Sequence, residues 1–184
     1  MMNAQENTDS IYRLLIHKKF RSGPKPTEWQ EEKIKQKIKS RVEDNLPVHL
    51  FQFWGGCKNP NLESPNADIC EWHTLNQLSK INEAVQSVYS PGLHITLFPG
   101  DERVHRVNHI PMEITTNYVK GLKQISNQFG NLFDVVAVSE LYNKYNKELN
   151  NAIQATELLI TENIFTNPSF QLFVSSSNKC NFLL

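Results

Sequence analysis

Four short clusters carry the side chains that could do chemistry. Gly55-Gly56-Cys57-Lys58 follows an apolar run and leads into Asn59-Pro60-Asn61. Two adjacent glycines let a backbone approach an anion, and Lys58 would supply a point charge beside it. A plain strand-to-loop turn is the alternative reading. Asp68 and Glu71 stand three apart at the start of a helical pattern. That spacing puts both carboxylates on one face of the first turn, at the positive end of the helix dipole. Such a pair either caps the helix or holds an ammonium group, such as that of an amino acid. Asp101, Glu102, Arg103 and His105 follow a second apolar run closed by Pro99-Gly100. Asp101 is there either as a turn residue or as a general base. Ser139, Glu140 and Tyr142 follow a third run, while His49 and His94 fall inside apolar runs and read as structural.

The elements around these clusters are legible from periodicity. Residues 9–20 predict a short helix capped by Asp9 or Ser10. Thr27-Glu28-Trp29-Gln30 has the form of a capping box, and Ile34, Ile38 and Val42 then repeat every four residues. Lys33, Lys35, Lys37 and Lys39 spread around that helix, which reads as solvated and lying on the domain. The nearly continuous apolar run over 48–54 predicts a strand buried on both faces. Ile69, Trp72, Leu75, Leu78, Ile81 and Val85 step by three and four, a helix that Pro91-Gly92 ends. A second strand is predicted over 93–98, and a helix carried by Ile114, Tyr118, Leu122 and Ile125 follows. A third strand is predicted over 132–138, then a helix with Leu141, Tyr145, Leu149 and Ile153, and a fourth strand over 170–174. Alternation of strand and helix predicts a parallel sheet with right-handed crossovers. In such a sheet, ligands bind beyond the carboxyl ends of the strands, where three of the four clusters fall.

Composition removes several function classes. The 184 residues carry nineteen basic and nineteen acidic side chains, so bulk charge does not bind nucleic acid. An apolar fraction of 39% with 10% aromatics excludes wholesale disorder. No apolar run is long enough to span a membrane. The first residues show neither a basic n-region nor an apolar h-region, so a cytoplasmic protein is expected. Cys57, Cys70 and Cys180 are odd in number and widely spaced, which fits neither a disulfide framework nor a zinc site. The G-x-G-x-x-G and P-loop patterns are both missing.

Taken in order, the landmarks resemble the isonitrile (isocyanide) synthase family of the pyoverdine/dityrosine biosynthesis type. Lys58-Asn59-Pro60-Asn61 matches a Lys-x-Pro-Asn turn, and Asp68-Ile69-Cys70-Glu71 with Leu75 and Leu78 matches an Asp-x-x-Glu helix start. Tyr89-Ser90-Pro91-Gly92 and the strand after it match a Tyr-x-Pro-Gly turn. Asp101 to His105 matches an Asp-Gly-Arg-Val-Phe segment, and Tyr118 the tyrosine of the next helix. The match covers roughly residues 48–129. It departs from the family at Glu102, at His105 and in the Trp54-Gly55-Gly56-Cys57 lead-in.

The resemblance implies a Rossmann-like α/β fold, here over 47–184, and the capping and charge pattern of residues 1–46 predicts an N-terminal helical extension. It implies an enzyme that turns the α-amino group of tyrosine or tryptophan into an isonitrile, with a carbon from ribulose 5-phosphate and no metal or cofactor. Lys58, Glu71 and Asp101 are then the catalytic candidates, with Asn61, Asp68, Arg103 and His105 binding substrate. The family's chain continues past the third strand, and residues 140–184 match it poorly. A divergent or truncated member, an inactive binding relative, or another phosphate-binding α/β enzyme are the alternatives. The site would then either stay open or be closed by a second subunit in a homo-oligomer.

Overall fold

The computed structural model describes residues 3–18, 20, 24–55, 64–145 and 151. Cys57, Lys58, Asn61, Cys180 and the strand expected over 170–174 lie outside the described residues. The chain divides into two units, residues 1–139 and 140–184.

In the first unit, α1 (Ala4–Leu15) and α2 (Glu28–Glu43) precede β1 (Val48–Trp54). Then come α3 (Ile69–Gln86), β2 (Leu93–Pro99), α4 (Asp101–Asn108) and α5 (Met112–Ser126). A 3-10 turn (Asn127–Leu132) leads into β3 (Phe133–Val135), and α6 (Val138–Lys144) begins after it. The sheet is parallel in the order β1-β2-β3. The expected α/β architecture is therefore present, a parallel sheet flanked by helices. No helix among the described residues is long and apolar enough to cross a membrane.

Local sequence explains most helix starts. The Thr27–Gln30 capping box forms, with Gln30 Oε1 accepting from the Thr27 amide at 2.9 Å. The first helix begins earlier than expected. Asn3 and Glu6 make a reciprocal box, with both bonds at 2.9 Å, and satisfy amides that Asp9 or Ser10 would have left open. Ile11 and Tyr12 of α1 and Ile38 and Val42 of α2 join the same core as Ile95 and Leu97 of the central strand. Helices α1 and α2 thus share one hydrophobic core with the sheet. Buried Tyr89 ties these layers together. Its hydroxyl donates to the carbonyls of Leu46 (2.9 Å) and Arg41 (3.3 Å), at the end of α2 and in the turn that follows it.

Three expectations need correction. The strand over 48–54 is not buried on both faces, because β1 is an edge strand among the described residues. Phe51 is 65% exposed and Phe53 87%. Their rings pack sideways instead, against Phe98 of β2 at 5.9 and 6.2 Å between centroids. His49 and His94 pair alongside at 4.9 Å. An aromatic ladder across two strands stands where a second layer of core was expected. The third strand is also shorter than expected, three residues rather than seven. Finally, the segment after Pro99-Gly100 is a helix, α4, rather than a loop.

The turn between α3 and β2 depends on a glycine. Gly92 has φ +67°, and a Cβ there would lie 2.5 Å from Asn82 Oδ1 and 2.7 Å from Gln86 Cγ. That Asn82 oxygen accepts the amide of Leu93 at 2.7 Å and so fixes the entry of β2. Gly92→Ala combines left-handed strain with the loss of this bond. We expect it to lower stability by about 1–2 kcal/mol, read as a lower urea midpoint at unchanged m-value.

Candidate functional site

Trp54, Pro99 and Val135 end the three strands on one side of the sheet, and the Gly100 amide bonds the Trp54 carbonyl at 3.3 Å. At this edge α3 begins with Asp68 as its cap. The Asp68 side chain accepts the Cys70 amide at 2.8 Å, and Glu71 Oε2 accepts the Asp68 amide at 2.8 Å. The two carboxylates therefore form a reciprocal capping box. Glu71 does more than cap. It is buried, and its Oε1 accepts the hydroxyl of Tyr118 on α5 at 3.2 Å. That hydroxyl in turn accepts the indole N–H of Trp54 at 2.9 Å. The line from Trp54 through Tyr118 to Glu71 and Asp68 joins the end of β1, the middle of α5 and the start of α3.

Close packing makes that line reachable. Gly121 lies on α5 one turn after Tyr118, where an added Cβ would sit 3.2 Å from the Cβ of Ala67. Lacking a side chain, it lets α5 approach the lead into α3.

Asp101 occupies a different environment. It is the first residue of α4 and only 2% exposed. Its Oδ1 accepts the Ser139 amide at 3.1 Å, and its Oδ2 accepts the Ser139 hydroxyl in a short bond. Asp101 is thus an N-cap delivered from a distant part of the chain to the second residue of α6. Arg103 is exposed on α4. His105 is half-buried, and its Nδ1 lies 2.8 Å from the carbonyl of Ile110. A carbonyl only accepts, so Nδ1 carries the proton in that bond.

Of the residues expected at the site, Asp68 and Glu71 come together. Asp101 is bonded to Ser139 and Arg103 stands on the surface, while His105 on α4 is held by the carbonyl of Ile110. Lys58 and Asn61 are outside the described residues. Two participants lacked a role in the sequence reading. Trp54 had one usable signal, its place as the last residue of an apolar strand. Ser139 is the second residue of α6, but nothing in the sequence pairs it with Asp101.

The strand histidines are structural, as their positions suggested. His49 Nε2 lies 2.7 Å from Thr96 Oγ1, and His94 lies 3.1 Å from both the Asn131 carbonyl and Asp134. Burial first, then the nearby charges of His94 and Arg41, push the pKa of His49 below its ordinary value. The folded chain therefore holds His49 neutral where the unfolded chain would protonate it. Stability from this group is complete above about pH 6.5 and declines as pH falls from there toward the lowered folded pKa. We expect the Tm to drop on acidification through that window, and His49→Asn to flatten the drop in a calorimetric pH series.

No protein-family model matches the chain, and no curated protein matches it. The fold is similar to that of the crystal structure of the PvcA protein from Pseudomonas aeruginosa, with a TM-score of 0.57 at 18% identity. The match covers 93% of this chain and 61% of that one, so the chain spans about three-fifths of that protein's length. At this identity the likeness is one of fold.

Proposed function

We propose that this chain is an isonitrile-synthase-like enzyme acting on the α-amino group of an aromatic amino acid, with ribulose 5-phosphate as the carbon donor. The fold shared with PvcA and the ordered landmarks over 48–129 support this reading. The observation that carries it is the line from Trp54 through Tyr118 to Glu71, a buried carboxylate at the end of two hydrogen-bonded aromatic side chains, beside the carboxyl edge of a parallel sheet. In this reading Glu71 and Asp68 orient the substrate ammonium, and the aromatic pair forms a wall for the substrate ring. Asp101 moves protons as the nitrogen gains its carbon. Lys58 pairs the sugar phosphate or forms a Schiff base with the ketose, while Asn61, Arg103 and His105 complete the substrate contacts.

A second reading rests on the same bonds. Glu71 and Asp68 cap α3, and Asp101 caps α6, so all three carboxylates have structural employment. The chain would then be a binding relative that kept the fold without the chemistry. Incubation with tyrosine or tryptophan and ribulose 5-phosphate, followed by mass analysis, separates the two. An isonitrile product is expected. Thermal stabilisation by the amino acid without product would favour the binding relative, and neither signal would overturn both readings.

A further inference from the structure

A cationic stripe runs along α2 away from the sheet's carboxyl edge. Lys33, Lys37 and Arg41 follow Trp29 at intervals of four, so they share one helix face over about 18 Å. The lysines of α2 divide into two sets. Lys35 pairs with Glu31 (2.8 Å) and Asp9 (3.2 Å), and Lys39 with Glu43 (3.8 Å). Among the described residues, Lys33 and Lys37 make no ion pair, and their i±4 neighbours are a tryptophan and cations. Like charges at this spacing destabilise a helix. Of the three, only Arg41 makes a structural hydrogen bond among the described residues, its Nε donating to the Pro47 carbonyl at 2.9 Å.

The stripe borders two adjoining hollows that share Ile34 and Lys37. One, of about 420 Å³, lies among Lys25, Pro26, Trp29 and Lys33. The other, of about 410 Å³, is walled by Leu15, Ile38, Val48 and Leu50, with Arg41 at its rim. No acidic side chain lines either one. Each has the size of a small-molecule site. A basic, aromatic hollow beside an aliphatic one, with Ile34 and Lys37 common to both, is complementary to a molecule with an anionic head and a hydrocarbon tail. We propose that this groove binds a single long-chain carboxylate, its head between Lys33 and Lys37 and its tail along Ile34, Ile38 and Leu50. This inference does not depend on the proposed catalytic function.

The test titrates the full chain with monomeric laurate, following tryptophan fluorescence and calorimetric heat. Saturable binding with a change in emission is expected, and Trp29→Phe should remove the emission change while leaving the heat. Lys37→Glu should weaken laurate binding at least tenfold, yet melt at the same temperature or higher, because it relieves repulsion with Lys33 and Arg41. A purely structural lysine would not separate these two readouts. Equal binding of dodecyltrimethylammonium would reduce the site to unspecific apolar adsorption and overturn the proposal. So would the failure of laurate to bind, or binding only of an acidic peptide of alternating aspartate and valine.

Discussion

Glu71→Gln should leave the fold standing and cut product formation from aromatic amino acids roughly ten- to hundredfold, the worth of one charge-assisted hydrogen bond. The glutamine fits the same space. Its oxygen still accepts the Asp68 amide, and its NH₂ group faces the Tyr118 hydroxyl, which can accept as well as donate. Only the negative charge and one donor–acceptor match are lost, so stability should fall by about 1 kcal/mol. Glu71→Ala is the contrasting case. It strands the Asp68 amide and the buried tyrosine hydroxyl together, for about 2–4 kcal/mol. If Glu71 is only a cap, glutamine lowers the unfolding midpoint slightly and leaves product formation unchanged. Comparing denaturation curves with turnover for the two variants decides between these outcomes.

Asp101→Ala should be the more destabilising change. A carboxylate with 2% exposure accepts both the amide and the hydroxyl of Ser139 at a helix N-terminus. Its removal leaves two donors unmatched and takes a negative charge from the positive end of α6. A loss of about 3 kcal/mol is expected. Ser139→Ala removes only the hydroxyl bond and should cost about 1 kcal/mol. The double variant should then be scarcely worse than Asp101→Ala alone, giving a positive coupling in the cycle. Additive losses would mean that the two side chains act independently. Asp101→Asn keeps one acceptor for Ser139, so loss of product with most of the stability retained would mark Asp101 as a proton carrier rather than a cap.

Much of this architecture is legible in the sequence. The bounds of β1 and β2 follow from apolar runs closed by proline and glycine, and the cap at Asp68–Glu71 from its spacing. These features are local, and local rules govern them. The bonds that assemble the candidate site are not local. Tyr118 meets Glu71 across 47 residues and Trp54 across 64, and such contacts leave no periodic trace. The edge position of β1 escaped for a related reason. An apolar run reports what a strand could bury, whereas its exposure is decided by which other layer covers it. Helix α4 was missed because DERVHRVN is short, mostly charged and without a side-chain cap.

The sheet order has a consequence for biosynthesis. Because β1, β2 and β3 lie side by side in the order in which they are made, each new strand leaves the ribosome after its partner and adds to an existing edge. Among the described residues, no strand has to be inserted between two others. The cost falls on the interval before β2 emerges. During it Val48-His49-Leu50-Phe51-Gln52-Phe53-Trp54, a segment without Asp, Glu, Lys, Arg or proline, has no partner for its backbone. That is the composition of an aggregation-prone window, and the yield of folded protein should be governed by how quickly the α3–β2 segment follows it.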